Sequence, residues 1–221
     1  MKSFGFEQSI DEPRVYNLIH AGKVVFLVLY VNDILLIGND VGKLSEVKVW
    51  LAKQFDMKDL GKSAYIMGIQ IFRDHKNRTV SLSQAPYIDK VIDRFSMQDP
   101  KKGQTPFRHG VSLSKDQSPK TAQEIEDMRK IPYASAVGSL MYAMLCTRPD
   151  ICFAVGVVSR FQSNPGPEHC IAVKHVLKYL RRTRNFMLTY SCTDLTMTGY
   201  TDSDFQADKD SRKSLSICGC L

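Results

Sequence analysis

Val24-Val25-Phe26-Leu27-Val28-Leu29-Tyr30-Val31-Asn32-Asp33-Ile34-Leu35-Leu36-Ile37-Gly38-Asn39 is the stretch whose reading decides the fold. Eight apolar residues meet an Asn-Asp pair, and four more apolar residues follow. Continuous runs of Val, Ile, Leu and aromatics read as strands buried on both faces. Asn32 and Asp33 between them fit a tight hairpin turn, because short polar side chains tolerate unusual backbone angles. Two meanings stand open for such an element. It is an ordinary core hairpin with a solvated turn, or its tip holds the Asp33 carboxylate outward for metal-dependent chemistry.

The rest of the composition sets the frame. At 221 residues, with 43% apolar and 24% charged side chains, the chain has the make-up of a soluble globular protein of one large or two small domains. The stretch 24–37 is interrupted by Asn32 and Asp33 and falls short of the roughly 20 apolar residues of a membrane-crossing helix. The start, Met1-Lys2-Ser3-Phe4-Gly5, has no apolar signal region. An intracellular, cytoplasmic protein without a membrane segment is expected, and oligomeric state is not legible. Six scattered cysteines without a Cys-x-x-Cys pair argue for reduced thiols rather than a zinc or disulfide framework. His169, Cys170 and His175 are close in sequence, but one helix without a fourth ligand makes a poor metal site.

Charge is unevenly spread. Residues 1–60 carry 7 basic and 8 acidic side chains, residues 61–130 carry 13 and 8, and residues 131–221 carry 10 and 7. The positive excess lies beyond the hairpin, as a polyanion partner requires and as many solvated surfaces also show.

Downstream patterning predicts an α+β chain. Leu44, Val47, Leu51 and Phe55 recur at helical spacing over 43–55, with Trp50 on or beside that face. Residues 65–73 and 79–83 read as strands around the polar turn 74–78, and a helix starts near Pro86. Residues 99–130, rich in Pro, Gly and polar side chains, read as a linker. Helices are expected over 133–146, from Pro149 to Phe161, and over 167–182, the last with Ile171, Val173, Val176, Leu177 and Leu180 inward. Lys174, Lys178, Arg181 and Arg182 form a basic stripe on that helix, extended by Arg184. The stripe is either a phosphate-backbone contact or a solvated face. Strands at 186–191 and 195–202 close the series. Asp202, Asp204, Asp208 and Asp210 imitate a calcium loop, but Ala207 and Lys213 stand where its Gly and Glu belong.

Tyr30-Val31-Asn32-Asp33 resembles the Tyr-x-Asp-Asp box of reverse transcriptases. Many further segments resemble copia-type retrotransposon Pol polyproteins, in order along the chain. They include Gly5-Phe6-Glu7-Gln8-Ser9, Met57-Lys58-Asp59-Leu60-Gly61, Tyr65-Ile66-Met67-Gly68-Ile69, Leu82-Ser83-Gln84 and Ile131-Pro132-Tyr133-Ala134-Ser135. Thr147-Arg148-Pro149-Asp150, Leu177-Lys178-Tyr179-Leu180-Arg181 and Gly199-Tyr200-Thr201-Asp202 continue the series.

The resemblance implies a partial reverse transcriptase palm over 1–85, with the hairpin box and a primer-grip-like hairpin. A helical thumb and connection over 86–183 and the first strands of a ribonuclease H-like domain over 184–221 follow from it. It implies Mg²⁺ as cofactor and an RNA/DNA template-primer duplex as partner. Two Mg²⁺ ions held close together require several converging carboxylates. By the resemblance Asp33 is the second hairpin carboxylate, Asn32 is a degenerate first one, and Asp202 is the first acidic metal ligand of ribonuclease H. The family's upstream Asp has no match in the residues before Asn32, and the later ribonuclease H acids have none after Asp202. The expectation is a truncated, catalytically inactive reverse transcriptase fragment. The alternative is a non-catalytic nucleic-acid-binding module working through its basic thumb and connection surface.

Overall fold

A computed structural model describes residues 1–98, 105–191, 199–203, 208, 210–211 and 216–220, with 199–203 and 216–220 described by backbone only. Among the described residues the chain is α+β, with two antiparallel four-stranded sheets and six α-helices. It divides into two compact units, Met1–Ser63 and Ala64–Leu221.

In the first unit β1 (Glu7–Gln8), β2 (Val15–His20), β3 (Lys23–Tyr30) and β4 (Asp33–Gly38) follow one another as an antiparallel meander. Ala21 and Gly22 turn β2 into β3, both at positive φ, the backbone that a two-residue hairpin loop demands. Asn39 reinforces that turn: its side chain accepts from the Val24 N–H at 2.9 Å and donates to the Gly22 carbonyl at 3.0 Å. Helix α1 (Val41–Gln54) begins at Asp40, whose carboxylate accepts from the Lys43 N–H. That bond, seconded by the Lys23 ammonium 3.1 Å away, holds the Asp40 carboxyl below its ordinary value.

The expectation that these strands are buried on both faces is wrong. Val25 and Leu27 of β3 are sealed against Val47 and Leu51 of α1, whereas Phe26 between them is 41% exposed. Side chains alternate across a strand, and one helix covers one face only. An unbroken apolar run hid that alternation. Trp50 does join the covered side, its ring 4.9 Å from Phe4.

In the second unit β5 (Tyr65–Ile66), β6 (Ile69–Asp74), β7 (Thr79–Ser83) and β8 (Leu188–Ser191) form the other sheet in that order. The single strand expected over 65–73 is two, because Met67 and Gly68 turn at positive φ. Strand β8 arrives from far along the chain to pair with β7, and the Ser81 and Thr189 hydroxyls meet at 2.8 Å. A last antiparallel pair, β9 (Gly199–Ser203) and β10 (Ser216–Cys220), follows.

The helices of this unit are α2 (Ala85–Arg94), α3 (Ala122–Arg129), α4 (Tyr133–Cys146), α5 (Cys152–Ser159) and α6 (Pro167–Arg182). They share one core, in which Ile88, Val137, Leu140, Val155, Val158 and Val176 are almost inaccessible. Burying each such side chain contributes roughly 1.5–3 kcal/mol. Among the described residues of 99–130, the linker expectation fails at α3. Thr121 Oγ1 accepts from the Glu124 N–H at 3.3 Å, and the Glu124 carboxylate accepts from the Thr121 N–H at 3.0 Å. This reciprocal cap satisfies two otherwise orphaned donors. Ile171, expected inward on α6, is 44% exposed. No helix among the described residues is long and apolar enough to cross a membrane.

Candidate functional site

The hairpin tip differs from its sequence reading by one residue. Tyr30 pairs with Asp33, so Val31 and Asn32 are the two turn residues and Asp33 is the first residue of β4. Val31 takes the left-handed backbone, φ +49, with 89% of its surface exposed. A β-branched side chain is strained there, and neither turn residue is Gly. Ile34, next along β4, packs into the core under α1. Alternation therefore directs Asp33, with its partner Tyr30 and with Phe26 and Ile37, to the face away from that helix.

Asp33 and Asn32 are both exposed. Together they offer a single carboxylate and one neutral amide oxygen. Among the described residues no three His, Cys, Asp or Glu side chains come together to hold a metal ion. A pair of Mg²⁺ ions repel each other strongly and need several carboxylates converging on them. This donor set does not fit such a pair. Asp202 stands in β9 opposite Ile217 of β10, and its side chain lies outside the described residues.

The basic residues of α6 fall into two kinds. Lys174 and Arg182 are exposed, and Lys178 and Arg181 are half-buried. Arg181 donates from Nη1 to the Met97 carbonyl at 3.0 Å, and Arg184 is paired with Asp89 at 3.2 Å. Those two guanidiniums fasten α6 to the end of α2 and to α2 itself. Two cations that the sequence does not single out stand beside α6, outside the stripe. Arg94, at the end of α2, shares the lining of a hollow with Lys174. Arg108 lies near enough to His175 that, with burial as the leading cause and Lys178 adding to it, the imidazole is pushed below its ordinary value. Nothing local marks either residue, because each stands far from α6 in sequence.

His169, weighed above as a ligand, is committed elsewhere. It is wholly buried and stacks on Phe161 with ring centroids 4.0 Å apart. Its Nδ1 accepts from the Gly166 N–H at 2.8 Å, so Nε2 carries the proton and donates to the Ser114 carbonyl at 3.1 Å. Burial lowers its pKa from 6.5, against the opposing pull of Ser114, Asp210 and Glu168. The unfolded chain therefore takes up a proton before the folded chain does. Stability is full above pH 6.5 and falls below it, by up to about 1.4 kcal/mol per pH unit until the lowered value is reached. Urea titrations on either side of pH 6.5 check this, and a His169→Gln chain should lose that part of the slope.

The carboxylates that imitate a calcium loop are also engaged. Both oxygens of Asp210 accept from the Lys115 N–H at 3.0 and 3.1 Å, and Asp208 is 3.4 Å from Arg160. Asp204 lies outside the described residues.

Comparison with known proteins places this geometry. Residues 1–109 match the family model described as "Reverse transcriptase (RNA-dependent DNA polymerase)". The chain is 47% identical over 215 residues to the "Retrovirus-related Pol polyprotein from transposon TNT 1-94" of Nicotiana tabacum, covering 97% of this chain and 16% of that one. It is 31% identical over 211 residues to a putative transposon Ty5-1 protein of Saccharomyces cerevisiae, covering 95% of this chain and 66% of that one. An uncharacterized mitochondrial protein of Arabidopsis thaliana is 33% identical over 191 residues, covering 86% of this chain and 75% of that one. The chain thus spans about a sixth of the tobacco polyprotein. No solved structure matches. The ordered motifs, the Tyr-Val-Asn-Asp hairpin and these relatives agree: the chain belongs to the reverse transcriptase region of the copia-type retrotransposon Pol polyproteins.

Proposed function

We propose that these 221 residues by themselves bind a template-primer duplex without extending it. Residues 1–85 are read as part of the palm, 86–183 as thumb and connection, and 184–221 as the opening of a ribonuclease H-like domain. The observation that carries the reading is the Tyr30-to-Asp33 turn, where Asn32 leaves Asp33 as the lone carboxylate. Nucleotide addition requires in-line attack of a primer hydroxyl, with charge on the attacking and leaving oxygens offset by two metal ions. One carboxylate and an amide cannot anchor both ions, so no catalytic step is assigned to Asp33, and none to Asp202.

Binding rests on the α6 stripe. Lys174, Lys178 and Arg182 supply charge without shape-specific contacts, which suits sequence-independent phosphate binding. Arg181 lends charge while its Nη1 stays on Met97. The test is primer extension and duplex binding with the purified chain. No extension is expected with Mg²⁺ or Mn²⁺, either from this chain or after Asn32→Asp. Extension by the unaltered chain would overturn the inactive reading. Binding should weaken steeply with salt, and changing Lys174, Lys178 and Arg182 to Gln should flatten the slope of log K against log salt by about 2–3. A duplex that fails to bind at low salt would remove the binding reading.

A further inference from the structure

Beside the α6 stripe, the end of α2, the start of α4 and the side of α6 leave a hollow of about 240 Å³. Phe95, Ser96 and Met97 form one wall where the chain leaves α2, with Ser96 bent into the left-handed region at φ +53. Pro132, Tyr133 and Ala136 at the start of α4 form the second wall, and Cys170, Val173 and Leu177 of α6 form the floor. Ala136, Cys170 and Val173 are themselves buried, so the inner lining is apolar and belongs to the core. Arg94 and Lys174 complete it. Both are exposed, and among the described residues neither has an ion-pair partner.

The dimensions and charge narrow the occupant. The volume is below the roughly 300–1,000 Å³ of drug-sized ligand pockets, and suits one planar ring system. An amphipathic peptide helix would instead need a row of hollows at helical spacing. The unpaired cations call for an anion attached to the apolar group. Lys174 belongs both to this hollow and to the stripe, so a chain of phosphates along α6 passes its mouth.

We propose that this hollow takes one unpaired base of a single-stranded nucleic-acid segment, with Arg94 and Lys174 on the flanking phosphates. The proposal rests on the duplex-binding reading of the stripe and adds to it a preference for overhanging ends. Phe95 and Tyr133 supply aromatic surface, and no amide or carboxylate side chain lines the hollow to read a base edge. Binding there is therefore indifferent to which base enters.

The test uses the full chain and fluorescein-labelled probes: a blunt RNA–DNA duplex, the same duplex with a short single-stranded overhang, and that overhang made abasic. The overhang should bind about fivefold tighter or more than the blunt duplex, as one stacked base contributes, and the abasic overhang should lose this gain. Arg94→Gln should weaken the overhang selectively. Ala136→Leu, which fills the hollow, should abolish the difference. Because that variant is prone to misfold, a second reading is taken at the exposed wall of the hollow. Alkylation of the thiol introduced by Ser96→Cys, at an exposed lining position, followed by mass spectrometry, should be slowed by the overhang and not by the blunt duplex. Equal, salt-sensitive affinity for all three probes would overturn the base site and leave the stripe standing. Absence of binding by every probe would overturn both. Concentration-dependent dimers that protect that introduced thiol without nucleic acid would assign the hollow to a second copy and overturn the proposal.

Discussion

Arg148→Ala is expected to cost about 3 kcal/mol of stability, among the largest effects of any single change in the chain. Arg148 is 1% exposed, yet it is a cation. Its Nε and Nη2 donate to the two Asp150 oxygens at 2.9 and 2.7 Å, and its Nη1 donates to the Thr183 carbonyl at 3.1 Å. Nη2 also meets Thr183 Oγ1, while Tyr179 and Phe186 present their rings to the guanidinium at 5.5 and 5.7 Å. Tyr179 in turn donates to Asp150. Burial works to raise the Asp150 pKa, but the Arg148 and Tyr179 bonds outweigh it and hold the carboxyl below its ordinary value.

This one side chain therefore fastens the α4–α5 junction to the end of α6, from which the chain runs on to β8. Removing it takes the charge partner from Asp150, leaving the carboxylate to the Tyr179 hydroxyl and the Thr183 carbonyl to the Phe186 N–H, a heavier loss than the net worth of the pair. The figure is set at the low end for a buried pair because the Asp150 side chain keeps 35% of its surface in water. Arg148→Lys keeps the charge without the planar fork and should recover less than half of the loss. Urea unfolding followed by circular dichroism measures both. An Arg148→Ala chain within about 0.5 kcal/mol of the parent, the range of an ordinary surface change, would refute the clamp.

Gly166→Ala should cost a similar amount for an unrelated reason. Gly166 sits at φ −107, where alanine is at ease, so conformational freedom is not what the position requires. It requires space. A Cβ there would stand 1.9 Å from the Gln117 carbonyl oxygen and 2.9 Å from its carbon. Both are backbone atoms, so no side chain can swing aside. Segment 114–117 is held to α6 through the Ser114–His169 bond and to Asp210 through the Lys115 N–H. Opening the gap strains those contacts and pulls the Gly166 N–H from His169 Nδ1. A loss of about 3 kcal/mol follows, at the upper end for overpacking. Gly138→Ala is the matched control. Gly138 lies in α4 with nothing near its missing Cβ, and alanine there should stabilise the chain by about 0.5–1 kcal/mol. If thermal melts of the two variants shift alike, the spatial argument fails.

Neither position stands out in the sequence, and the reason is physical. Helical periodicity reports which side of one helix faces a core, so α4 and α6 were legible to the residue and α1 and α2 nearly so. It says nothing about Arg148, whose burial depends on partners 2 and 35 positions away and on two aromatic rings. It is equally silent on Gln117 meeting Gly166. The apolar run 24–31 was read by composition, and composition does not reveal that only one face of β3 is covered. In 99–130 a usable sign is present that the linker reading does not use: Thr121 followed three residues later by Glu124 is a capping pair, set among prolines and glycines. The hairpin tip was located to within one residue. What it does chemically depends on groups that converge in space, which spacing along one strand does not disclose.

Strand β8 has a consequence for how the molecule comes to be built. Its hydroxyl contact joins positions 81 and 189, 108 residues apart, and its pairing completes the sheet begun at Tyr65. During synthesis from the amino terminus, the outer edge of β7 must wait for five helices to be made before its neighbour exists. Closing so long a loop is slow, because the chain loses entropy before the pairing is gained. For that interval the nascent chain carries an open row of β7 backbone donors and acceptors, a template for pairing with other chains. Premature release ahead of Leu188 would leave that edge bare, and crowding among ribosomes on one message would turn it toward aggregation.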